Sequence, residues 1–173
     1  MTRALLFLGA AMSAAAQTAN PLSMELRQSY TIVRTNLLKM AEKMPEENYS
    51  FRPTPDVETF SRRVAHIAGA NLRTCAGVKG ETRSFGGAAP LTAKPDLIAA
   101  LRDSFAYCDA VFDSLTDAIA VQMVDGAIGS PPARGQMRTR LSILWNVVRH
   151  SNEMYGYMSV YLRLKGIVPP SSE

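Results

Sequence analysis

The sequence predicts an all-α chain folded as a four-helix bundle. Four stretches repeat apolar residues at helical spacing, and runs rich in proline or glycine separate them. No strand alternation, internal repeat or low-complexity tract competes with that reading. Four helices in one domain form a bundle by default.

Before the first helix, residues 1–16 read as a secretory signal peptide. Arg3 supplies the positive start, Ala4 to Met12 an apolar run, and Ala14-Ala15-Ala16 a small-x-small cleavage site. The run is too short to span a bilayer, and no other stretch is longer, so no membrane span is expected. Removing 16 of 173 residues leaves 173 − 16 = 157, one bundle domain over 17–173 with room for a proper core. The expected location is secreted or periplasmic. The formal net charge of +4 drops to +3 with the loss of Arg3. That is mildly basic, and the cations are interspersed with acids, so nucleic acid is not an expected partner.

The first helix is predicted from Pro21 to Met44. Asn20 offers a capping side chain, Pro21 suits the first turn, and Pro45 stops the helix. Leu22, Leu26, Ile32 with Val33, Leu37, Met40 and Met44 set its apolar rhythm. Residues 46–56 form a loop, because Pro53 and Pro55 cannot continue a helix; Tyr49 and Phe51 fold back on the core. The second helix runs from Val57 to Lys79 with Phe60, Val64, Ile67, Asn71, Cys75 and Val78 on one stripe, and Gly80 stops it. A glycine-rich connection over 81–93 is long enough for a crossover. The third helix runs from Lys94 to Ala118 and buries Leu97, Leu101, Phe105, Cys108, Phe112 and Leu115. After a second loop over 125–135, the fourth helix spans Gln136 to Lys165. Its wide apolar arc includes Leu141, Leu144, Trp145, Val148, Tyr155, Met158 and Leu162, so much of its girth is buried. The Val168-Pro169-Pro170 tail packs back on the bundle.

Both histidines fall inside predicted helices. His150 shares a stripe with Ile143, Val147, Met154, Tyr157 and Tyr161. It is either a core histidine held by hydrogen bonds or a metal ligand. His66 shares a stripe with Arg62 and Arg73. It is either a surface histidine or the edge of a pocket where two guanidinium groups face a small anion.

The chain resembles the DinB/YfiT-like superfamily of four-helix bundles, and its exported members of unknown role in particular. The resemblance rests on Tyr49-Ser50-Phe51-Arg52-Pro53-Thr54-Pro55, Val64-Ala65-His66-Ile67-Ala68, Cys75 to Gly80, and Phe105-Ala106-Tyr107-Cys108-Asp109. Its strongest piece is His150-Ser151-Asn152-Glu153 with Tyr155-Gly156, followed by the Tyr161-to-Ser172 tail. The resemblance implies a divalent metal, nickel or zinc, held by one histidine of the second helix and two of the fourth. His66 and His150 match two positions, and Met154 stands at the third. A catalytic zinc needs three protein ligands and an open position, and a thioether suits softer ions. Glu153, three residues from His150, is the possible substitute donor. The cofactor expected is therefore none, or a weakly bound nickel or zinc.

Cys75 and Cys108 have no CxxC spacing, and export favours a bridge between them over two buried thiols. Two functions compete. One is a metal-poor bundle that binds a small ligand or a partner, with Arg62, Arg73 and Tyr157 lining the pocket. The other is the metal-dependent enzyme that the resemblance implies, a thiol transferase or hydrolase-like protein using His66, His150 and a substitute ligand. Relatives are often dimers, and the apolar fourth helix is compatible with a homodimer.

Overall fold

The computed structural model describes residues 19–85, 92–126 and 136–173. The signal-peptide expectation falls on residues outside these ranges, as does most of the loop after Asp125. No described helix is long and apolar enough to cross a membrane.

The helices are α1 (Pro21–Lys43), α2 (Phe60–Val78), α3 (Lys94–Asp113), α4 (Asp117–Ala120) and α5 (Arg140–Leu164). The four long ones form the expected bundle. α2 packs most extensively on α3, α1 on α5, α2 on α5, and α1 on α3. Consecutive helices α1 and α2 are therefore diagonal partners, and so are α3 and α5. The crossovers therefore fall between α1 and α2 and between α3 and α5. α2 and α3, between which the sequence suggested a crossover, are instead direct neighbours.

Caps explain why three boundaries differ from expectation. α2 begins at Phe60 rather than Val57 because Thr59 Oγ1 accepts the Arg62 amide. α3 stops at Asp113, where the Arg27 guanidinium donates to the carbonyls of Phe112 and Asp113. Thr116 then caps the separate turn α4 through the Ile119 amide. α5 begins at Arg140 because Thr139 caps it through the Ser142 amide. Just before it, Met137–Thr139 (β2) pairs antiparallel with Met123–Asp125 (β1). These three-residue strands are too short for alternation to reveal them. Asn20 does not cap α1. Its side chain accepts the Asp117 amide, while the Asp117 carboxylate accepts the Leu22 and Ser23 amides, so each side chain serves the other helix.

The stripes of α2 and α3 are buried as predicted. Leu22, Ile32 and Trp145 are exposed instead, at 47%, 58% and 52%. Each lies at the border of its stripe, where a bundle face ends. Tyr49 is buried, Phe51 is half-buried, and Pro169 and Pro170 are buried under the returning tail. Cys75 and Cys108 lie 5.4 Å apart at Cα and are bonded, tying α2 to α3.

Candidate functional site

α2 and α5 meet with their histidines edge to edge. His66 Nε2 lies 3.0 Å from His150 Nε2, with ring centroids 5.0 Å apart and planes at 56°. One ring must donate the proton that the other accepts. Partial burial lowers both pKa values below 6.5. For His66, the charges of Arg73 and then Arg63 add to the effect. For His150, the charge of His66 adds next, and Glu153 opposes. The pair is therefore neutral near pH 7.

Two cavities adjoin this pair and share His66. One, of about 400 Å³, is lined by Glu58, Arg62, Arg63, Ala65 and His66. The other, of about 220 Å³, holds both histidines together with Asn71, Arg73, Thr74 and Arg149. Their charge is mostly positive. Glu58 sits 3.5 Å from Arg62, and Arg149 donates to Asn146. The side chains of Arg63 and Arg73 make no hydrogen bond or ion pair with the described residues. Arg63 instead lies over the Tyr157 ring, 5.4 Å from its centroid. Arg73 folds back along α2, so that its Nη1 would stand 3.1 Å from a Cβ placed on Gly69.

Among the described residues four buried side-chain donors are unpaired. Asn71, 1% exposed, offers Oδ1 to Ser151 Oγ at 3.5 Å and leaves Nδ2 without a partner. Arg63 leaves Nε likewise. Arg34 and Arg140 also have an unpaired Nε, but each spends a terminal nitrogen on a protein acceptor, Asp109 or the Val78 carbonyl. Buried donors normally find partners, so an unpaired amide beside a cavity marks a place for an acceptor.

Of the residues singled out from sequence, His66, His150, Arg62 and Arg73 gather here. Tyr157 stands at the rim, 48% exposed, and donates to Glu153 at 3.2 Å. Met154 is buried in the core and lines neither cavity. Among the described residues no group of three or more His, Cys, Asp or Glu stands close enough to hold a metal. Glu153 therefore does not join the two imidazoles. Two nitrogens 3.0 Å apart suit a shared ion as well as a shared proton. A three-donor site of those ligand types is not assembled. Sequence reasoning missed Arg63, Arg149 and the role of Asn71. The signal for Asn71 was available, as a polar residue on an otherwise apolar stripe.

A larger cavity of about 820 Å³ lies away from the histidines, around Tyr107, Glu81 and Arg83. Glu81, Arg83 and Tyr107 pair with one another there, while Asp103 lines the same cavity. Glu81 is held down to about 2 by hydrogen bonds from Arg83, Tyr107 and Lys79.

The family profile described as the DinB superfamily matches residues 29–158. A DinB-like protein from Bacillus cereus is 21% identical over 85% of this chain and 95% of its own, with a TM-score of 0.67. A DinB-like protein from Bacillus subtilis is 18% identical over 82% and 92%, with a TM-score of 0.63. A mutant of the mycothiol-dependent maleylpyruvate isomerase is 15% identical over 83% and 67%, with a TM-score of 0.57. At these identities the three likenesses concern the fold. Among curated proteins no significant sequence match is found.

Proposed function

We propose, for a chain that belongs to the DinB superfamily, that it is an exported, metal-poor member which binds a small anionic ligand between α2 and α5. One observation carries this reading. Arg63 and Arg73 flank the histidine pair without any acidic partner, and the buried Asn71 amide beside them lacks an acceptor. A carboxylate entering there would meet guanidinium groups, and a small turn of Asn71 would bring its shielded amide N–H to the same anion. Met154 in place of a third histidine supports the metal-poor part, because two imidazoles alone hold nickel or zinc weakly.

The test is calorimetric titration of the purified protein with butyrate and with a neutral analogue, butyramide. Saturable binding of butyrate alone, abolished in Arg73→Gln, is the expected result. Equal, negligible heats for both compounds in the folded protein would overturn the reading.

The second reading is the metal-dependent enzyme, favoured by the 3.0 Å separation of the two Nε2 atoms. The isomerase among the structural neighbours supports it at the level of fold. Elemental analysis of the protein as purified separates the two readings, with His150→Ala as control. Stoichiometric nickel or zinc, lost in the variant, would establish the metal reading. The homodimer remains a further proposal, to be tested by light scattering.

A further inference from the structure

The paired cavities raise the question of why free cations stand on both sides of His66. The 400 Å³ cavity contains Arg63, and the 220 Å³ cavity contains Arg73 and the unpaired Asn71 amide. Arg63 and Arg73 are ten residues apart on α2, about 15 Å between Cα atoms at the helical rise. Arg63 is drawn toward α5 by the Tyr157 ring. Arg73 folds back toward His66 over Gly69. The two guanidinium groups are thus brought in from opposite ends without meeting on one point. Arg62 does not compete at the first end, because Glu58 already pairs with it.

We infer that the site takes a ligand with two anionic ends, a short dicarboxylate, lying across His66 with one end at Arg63 and the other at Arg73 and Asn71. The inference rests on the anion reading above and narrows it. A monocarboxylate satisfies one end only and leaves the other cation solvated. A diacid satisfies both while the histidine edges line its middle. Gly69 acts as a positioning residue. A Cβ there would stand 3.1 Å from Arg73 Nη1 and displace that guanidinium from its present position.

Titration of the full protein with succinate, glutarate and adipate, against butyrate, tests this. At least one diacid is expected to bind about tenfold or more tighter than butyrate, a difference of about 1.4 kcal/mol. Arg63→Gln should bring that diacid down to the butyrate level, and Arg73→Gln, which removes the end that holds butyrate, should abolish its binding. Arg63→Lys should keep part of the gain, and Gly69→Ala should weaken the diacid more than butyrate. Circular dichroism confirms that each variant is folded. Butyrate binding with no diacid preference would overturn the two-ended ligand and leave the anion site standing. Diacid binding untouched by Arg63→Gln would overturn it as well. No binding of any acid would overturn both.

Discussion

Asn71→Leu offers the sharpest separation of a binding role from a structural one. The side chain is 99% removed from solvent, and its Nδ2 donates to nothing in the described protein. A buried unsatisfied donor costs about 1–3 kcal/mol. Leucine keeps the γ-branched shape and removes that donor, and the adjoining 220 Å³ cavity accommodates its extra volume. The substitution also removes the Ser151 contact, which at 3.5 Å lies at the limit of a hydrogen bond and contributes less than about 1 kcal/mol. The expected net effect is a gain of about 1–2 kcal/mol in ligand-free protein. For a chain of this size that raises Tm by roughly 2–8 °C. Calorimetry and urea unfolding followed by far-UV circular dichroism measure it. The same variant should lose carboxylate affinity, since the donor at one end of the pocket is gone. A Tm that falls, or stays where it was, would refute the reasoning by showing that the amide is already satisfied. A higher Tm with undiminished affinity would remove Asn71 from the site.

Reduction of Cys75–Cys108 opens a 33-residue loop and should cost about 3–4 kcal/mol on the chain-entropy account; urea midpoints with and without reductant check it. Both histidines have folded pKa values below the unfolded value of 6.5, so the unfolded chain binds more protons at acidic pH. Their contribution to stability is complete above about pH 6.5 and declines as pH falls below it. A double His66→Gln, His150→Gln variant should show a flatter urea midpoint than wild type between about pH 7.5 and 5.5. Met154→His should raise zinc or nickel affinity by at least about two orders of magnitude in a calorimetric titration. An unchanged affinity would show that this turn of α5 does not present a third imidazole to the pair.

The bundle was legible because its stripes obey one period. Phe60 to Val78 on α2 and Leu97 to Phe112 on α3 are buried as periodicity requires. The histidine pair was half legible. Each histidine could be placed on a helix, but their contact depends on how α2 and α5 pack, which no local pattern encodes. Arg73 shows the same limit. Its guanidinium folds back over Gly69, four residues earlier, a placement that no local pattern encodes. The hidden boundaries have a different cause. Thr59, Thr116 and Thr139 each end an approach to a helix by capping it. Threonine is common enough elsewhere that spacing alone does not distinguish a cap from a surface residue.

What a two-histidine site selects depends on two effects with opposite signs. Lowered pKa values keep both imidazoles neutral and their lone pairs free, which favours a metal over a proton. The lowering comes partly from Arg73 and Arg63, however, and a charge that repels a proton repels a divalent ion about twice as strongly at the same distance. A third donor would offset that repulsion through an added coordinate bond, but among the described residues no third His, Cys, Asp or Glu stands with the pair. The same guanidinium charges attract an anion, whose binding needs no such compensation and also provides an acceptor for Asn71. The balance therefore turns on the number of donors, and with two imidazoles it favours an anion lying beside the pair over a cation held between its rings.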